Sequence, residues 1–208
     1  MPAMTTLDNY MQSNAVSTDL ILASGSRYRR HLLARLALDF RCIAADIDED
    51  HQPGESPAEM AARLAQSKAL AVAGRHPEAI IIGSDQVATV NGQIVGKPDD
   101  RTAACSQLRS ASGQLMDFHT AVHIIHPFGG NRLAHLDTTR VSFRRLDDAM
   151  IKDYLDREQV LDCAGSFKSE GLGIALVEKI ETCDPTALIG LPLIWLAGAL
   201  RSLGLTIL

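Results

Sequence analysis

The chain has 208 residues, a formal net charge of -5, 46% hydrophobic residues and 22% charged residues. That balance is the balance of a soluble globular protein, and the length suits one domain or two tightly joined lobes with a sizeable core. An acidic surplus argues against a general nucleic-acid binder, so any polyanionic substrate must be caught by a local cluster of Lys and Arg.

Cys42, Cys105, Cys163 and Cys183 are widely spaced with no C-x-x-C. They read as reduced thiols, not as a disulfide framework or a zinc site. No apolar run approaches the ~18 residues needed to span a bilayer, and the first residues lack the basic start and apolar stretch of a secretory signal. The expected location is the cytoplasm, with no membrane partner.

In chain order, residues 1–19 read as a loose polar tail and residues 20–208 as one catalytic domain. The apolar run Leu20-Ile21-Leu22-Ala23 is a short strand that breaks at Ser24-Gly25-Ser26, and a helix follows with Leu32, Leu33 and Leu36 on one face. A second strand, near residues 40–45, runs into an acidic loop at residues 46–50. Ser56 as N-cap, Pro57 at the first helical position and Glu59 three residues on form a capping box. That helix is expected to run to Ala73 and stop at Gly74. Residues 79–82 read as a buried strand, and Asn91-Gly92 as a hairpin turn between residues 87–90 and 93–95. A helix over residues 101–111, capped by Asp99 or Asp100, comes next. Two alternating stretches, 115–126 and 132–144, flank a Pro/Gly turn and read as a long hairpin. A polar helix spans residues 147–157, and the last helix, about residues 186–203, carries Trp195. Interleaved strands and helices give an α/β class with a mixed sheet.

Several segments carry chemistry. A strand ending in Ser24-Gly25-Ser26 and opening a helix presents free backbone N–H groups to an anion, a phosphate above all. Arg29 falls on the inward face of that helix, where a guanidinium needs a phosphate or a carboxylate partner. Met60, Leu64, Lys68 and Val72 recur every four residues, so one lysine interrupts an apolar stripe; it either snorkels outward or serves a buried anionic site. Asp85 follows the buried run 80–82 at what reads as a strand end, a position for a metal-binding or general-base carboxylate, or for one bonding a nearby turn. Gly92, Gly96 and Lys97 resemble a Walker A loop only superficially: the spacing is short and Pro98 stands where Ser or Thr belongs. Lys97 remains a candidate phosphate contact. His119 and His123 are too far apart for a compact metal pair. The stretch Cys163 to Gly171 combines two glycines, Phe167, Lys168 and Glu170; it suits the reading of a base edge, or is a solvated connection.

Taken together, the strings LILASGSRYRRHLL, ADIDED, ARLAQSKA, IIGSDQV, VGKP, SGQLMDFHTAV, CAGSFKSEGLGI and DPTALIGLPL resemble the Maf family of nucleotide pyrophosphatases, in the family's order and over nearly all of the chain from Leu20 to about Leu203. The resemblance implies an elongated α/β fold, a mixed sheet flanked by helices with a cleft between two lobes. It also implies a divalent metal (Mg²⁺, Mn²⁺ or Co²⁺), a nucleoside triphosphate substrate and a homodimer. Ser24, Ser26 and Arg29 match the phosphate-holding motif S-x-S-x-x-R, and Lys68 and Lys97 match further phosphate contacts; Lys168 in the SFKSEG loop is assigned to the substrate with them. Asp85 matches the proton acceptor that activates water and is also a metal-ligand candidate, and Glu49 matches an acidic position near the site and is a second metal-ligand candidate.

The SFKSEG loop looks like the subgroup acting on 7-methyl-GTP, whose specificity positions map to Tyr28, Gln86 and Glu170. A methylated guanine is cationic, so stacking on Tyr28 and hydrogen bonds to Glu170 suit it; that subgroup often has a larger aromatic at the Tyr28 position. The expected reaction is hydrolysis of the α–β anhydride to a monophosphate and pyrophosphate. The alternatives are a dTTP or UTP pyrophosphatase of the same family, and a nucleotide-sensing regulator of cell division without significant turnover.

Overall fold

A computed structural model describes residues 19–126 and 132–208. The expected tail, apart from Asp19, and the Pro/Gly turn of the long hairpin lie outside these residues. Strand β1 (Leu20–Leu22) leads into helix α1 (Arg27–Ala34), capped by the Ser26 hydroxyl. Strand β2 (Arg41–Cys42) precedes helix α2 (Pro57–Ala73), and both halves of the Ser56–Glu59 capping box are formed. Strand β3 (Ile80–Val90) turns at Asn91 and Gly92 into β4 (Gln93–Val95). Helix α3 (Arg101–Ala111) is capped by Asp100; the long hairpin is β5 (Leu115–Ile125) and β6 (Arg132–Phe143). Helix α4 (Asp148–Arg157) is capped by Asp147, and β7 (Val177–Glu181) and α5 (Leu193–Ser202) complete the chain.

The seven strands form one mixed sheet in the order β2-β1-β3-β5-β6-β7, with β4 also paired to β3. Pairs β2–β1 and β1–β3 are parallel and the others antiparallel. Successive side chains of a strand point to opposite faces, and β3 uses both. On one face Ile80 and Ile82 join a cluster with Leu32, Leu33, Leu196 and Leu200 from α1 and α5. Farther along the same face, Ala88 and Val90 join a second cluster with Leu108, Ile151, Tyr154 and Phe167. Polar Ser84 and Gln86 lie between them, so one long strand runs through two apolar cores. These are the two lobes.

The opposite face of β3 lies under α2. Ile81 packs with Ala69 and Val72, and Val87 with Ala61 and Ala65. Between them Gly83 lets the helix backbone touch the strand, since a Cβ there would lie 2.2 Å from the Ala65 carbonyl oxygen and 2.7 Å from the Ala69 nitrogen. Backbone cannot yield as a side-chain tip can. Gly83→Ala is therefore expected to destabilise by about 2 kcal/mol, read as a lowered midpoint in urea unfolding.

Four elements differ from the sequence reading, the first being the strand expected near residues 40–45, which is only Arg41–Cys42. The buried strand at 79–82 and the hairpin arm at 87–90 are one continuous strand, because Gly83, Ser84, Asp85 and Gln86 keep full register with His123, Val122, Ala121 and Thr120. The last helix starts at Leu193, because Gly190 at φ +120° breaks the chain direction after a short turn at Ala187–Ile189. Its first N–H groups are taken by the Thr186 hydroxyl, 2.8 Å from the Leu193 nitrogen, and by Asp184, 2.6 Å from the Ile194 nitrogen. Strand β7, unforeseen, carries only Val177 and Ile180 inward. Among the described residues no helix is long and apolar enough to cross a membrane.

Candidate active site

The cleft follows from the sheet. On the edge of β3 opposite β5, β1 covers Ile80 to Ile82 and β4 covers Ala88 to Val90. Residues 84–87 between them have no strand partner on that side. The chain leaves β1 at this gap through Ser24 and enters α1, and a cavity of about 650 Å³ opens there, within the size range of small-molecule sites. Ser24, Ser26, Arg29, Glu49, Lys68, Asp85, Gln86 and Lys97 all line it.

One wall is rich in hydrogen-bond donors. The Ser24 hydroxyl accepts from the Ser26 nitrogen at 3.1 Å, and the Ser26 hydroxyl caps α1 at the Arg29 nitrogen. The positive end of the helix thus opens on the cavity. Arg29 is half-buried and pairs with no carboxylate among the described residues. Its Nε donates to the Gly190 carbonyl at 3.0 Å and an Nη to Ser24 at 3.4 Å, leaving further N–H donors for a ligand. Burial pulls its pKa below the ordinary arginine value, opposed by the charges of Asp85 and Glu49. Lys97, just after β4, is exposed and makes no ion pair among the described residues.

The other wall holds a buried cation between two carboxylates. Lys68 and Asp85 are only 8% and 7% exposed. The Lys68 Nζ donates to Asp85 Oδ1 at 2.6 Å and lies 2.8 Å from Glu49 Oε1, whose side chain is 56% exposed. The apolar stripe of α2 thus turns Lys68 inward to a buried anion. Asp85 sits mid-strand, not at a strand end as the sequence suggested, and reaches the cleft because its strand edge is open there. Its Oδ2 makes no hydrogen bond among the described residues.

A smaller pocket of about 110 Å³ adjoins the cleft, lined by Tyr28, Gln86, Asp162, Phe167, Ser169 and Glu170 among others. Tyr28 donates to Asp162 at 3.1 Å, and Arg27 covers one face of its ring at 4.9 Å, so a base can stack only on the other. The Gln86 amide nitrogen is shared among Thr120 Oγ1 and the carbonyls of Ala187 and Leu188 at 2.9 to 3.0 Å. Only its amide oxygen is left for a ligand.

The Maf-like protein family model matches residues 19–203. The chain belongs to the Maf family. It is 54% identical over 187 residues to a 7-methyl-GTP pyrophosphatase of Bordetella avium (strain 197N), covering 89% of this chain and 93% of the relative. It is 53% identical over 188 residues to one of Xanthomonas axonopodis pv. citri (strain 306), covering 90% and 98%. A third, from Aromatoleum aromaticum (strain DSM 19018 / LMG 30748 / EbN1), is 51% identical over 186 residues, covering 89% and 96%.

Of the residues the Maf resemblance singled out, Ser24, Ser26, Arg29, Glu49, Lys68, Asp85, Lys97, Tyr28, Gln86 and Glu170 meet at the two adjoining cavities. Lys168 does not. Its ammonium is held 2.5 Å from Glu158 Oε1, and the other Glu158 oxygen accepts from the Leu172 nitrogen at 2.9 Å. The Lys168 ammonium, and then the Leu172 N–H, hold the Glu158 carboxyl below the usual carboxylate range. Lys168 therefore ties the loop to Glu158 at the end of α4 and lines neither cavity. Sequence reasoning missed Asp162, which lines both cavities, and the Gly190 carbonyl that aims Arg29. Asp162 had no signal beyond adjacency to Cys163, and a carbonyl leaves none.

Proposed function

We propose that this cleft hydrolyses a nucleoside triphosphate between its α- and β-phosphates, with 7-methyl-GTP as substrate and 7-methyl-GMP and pyrophosphate as products. The observation that carries the reading is the meeting of Asp85 with three cations, Lys68, Arg29 and Lys97, at the open edge of β3, beside a small pocket lined by two further carboxylates, Asp162 and Glu170. The names of the relatives and the SFKSEG loop support the base.

In this reading the triphosphate lies against the α1 N-terminus, with Arg29 and Lys97 on its oxygens. Lys68 holds Asp85 by Oδ1 and leaves Oδ2 facing the cleft as the acceptor. A water oxygen attacks the α-phosphorus, its proton passes to Asp85 Oδ2, and the bond to the α–β bridging oxygen breaks. Arg29, Lys68 and Lys97 stabilise the charge that develops on the departing pyrophosphate. Asp85 and Glu49 also fit a divalent cation. They are hard oxygen donors converging on one ammonium, and the described residues gather no third His, Cys, Asp or Glu for an all-protein cage. An ion of the Mg²⁺ type is commonly completed by substrate phosphates and water. When bound it supplies neutralisation of phosphate charge.

The test is pyrophosphate release from 7-methyl-GTP, GTP, dTTP and UTP with Mg²⁺, Mn²⁺ or Co²⁺ present. Preference for 7-methyl-GTP supports the proposal. Preference for dTTP or UTP keeps the reaction and overturns the base, and tight binding with no release from any of them overturns the reaction. Glu170→Gln is expected to lower the kcat/KM ratio of 7-methyl-GTP to GTP roughly tenfold, the scale of a lost charged hydrogen bond.

A further inference from the structure

The loop at residues 163–170 is held in an uncommon backbone. Gly165 and Ser166 are consecutive left-handed residues, at φ +66° and +54°. Glycine suits the first, where a Cβ would meet the Met116 sulfur at 2.8 Å; the second costs a serine roughly 1 kcal/mol. The wholly buried Ser166 is fixed at both its polar ends. Its hydroxyl donates to Gln107 Oε1 at 2.6 Å, and its carbonyl accepts from the Tyr154 hydroxyl at 3.2 Å. The Gln107 Nε2 in turn donates to the Gly96 carbonyl at 3.2 Å, and the Gly165 nitrogen bonds that same carbonyl at 3.1 Å. Gly96 immediately precedes Lys97. Beyond Ser166, Phe167 is anchored against Phe118 and Phe143 at 5.9 and 5.1 Å, and Ser169 and Glu170 reach the small pocket.

Gln107 is thus one side chain of α3 that grips the phosphate-side turn with its amide nitrogen and the base-side loop with its amide oxygen. It lines neither cavity. Resting on the proposed function, we infer that Gln107 is a positioning residue that sets the base-reading loop against Lys97 and so governs base selectivity without touching the substrate. A side-chain amide suits this place because it offers a donor and an acceptor on one rigid plane. Leucine has a similar volume and neither group.

The test uses the full chain. Once wild type has been shown to release pyrophosphate from both nucleotides, kcat and KM for 7-methyl-GTP and GTP are measured in Gln107→Leu, Ser166→Gly and the double variant. Ser166→Gly removes the hydroxyl while easing the left-handed backbone, which keeps the test open if Gln107→Leu folds poorly. Each single change is expected to lower the 7-methyl-GTP to GTP ratio of kcat/KM about fivefold, chiefly through KM, the scale of one hydrogen bond. The double variant is expected to lower it no further, since both changes cut one link. Equal losses on the two nucleotides, an unchanged ratio, or losses that multiply in the double variant would overturn the inference. A wild type inactive on 7-methyl-GTP would instead overturn the function on which it rests.

Discussion

Asp85→Asn is expected to lower the turnover of pyrophosphate release about 10³-fold, the usual contribution of a positioned general base, while the protein stays folded. The change keeps shape and volume, and Ala121 still faces position 85 across β5. The Lys68 ammonium keeps a partner in Glu49 at 2.8 Å, so the buried cation is not abandoned. What is lost is the second carboxylate oxygen, the one without a hydrogen bond among the described residues and the proton acceptor of the proposed reaction. Stopped or coupled assays of pyrophosphate, with circular dichroism on the same sample, check it. Near-wild-type turnover would remove Asp85 from the chemistry.

Lys68→Met is expected to act on the fold as well as on turnover. It leaves Asp85, 7% exposed, as a buried carboxylate without its ammonium, a change of the kind that costs about 4 kcal/mol. Urea unfolding reads the loss as a lowered midpoint at unchanged slope. The sign of the coupling is the sharper part. Adding Asp85→Asn to Lys68→Met removes the stranded charge and is expected to restore much of the stability while leaving the enzyme inactive. If the double variant is less stable than either single, the pair is not the buried ion pair described above.

What could be read in the sequence was local chemistry. Ser56, Pro57 and Glu59 announce a helix start because capping uses neighbours in sequence, and all three act as read. Lys68 was legible as an oddity because one cation interrupted a fourfold apolar period, and its direction is settled by Asp85 on another element. The sequence points to Asp85 for a partly mistaken reason. Gly83 and Ser84 look like a strand end, but Gly83 is the seat of α2 and the strand runs on beneath it. The final helix was read too long because Leu188 and Ile189 continue its apolar pattern, while the turn at Gly190 and the caps from Asp184 and Thr186 come from tertiary packing. Lys168, assigned to the substrate with the SFKSEG loop, is paired with Glu158 and lines neither cavity. Its partner Glu158 follows the polar helix at 147–157, and nothing in its local sequence marks it. Gln107 and Asp162 carried no local signal, for their meaning lies in what the fold brings to them.

The most direct test of the central claim is hydrolysis of 7-methyl-GTP in water labelled with ¹⁸O, with mass analysis of both products. Attack at the α-phosphorus puts the label in the monophosphate and none in pyrophosphate, which is the expected result. Label in the pyrophosphate, or release of single phosphate, would contradict it.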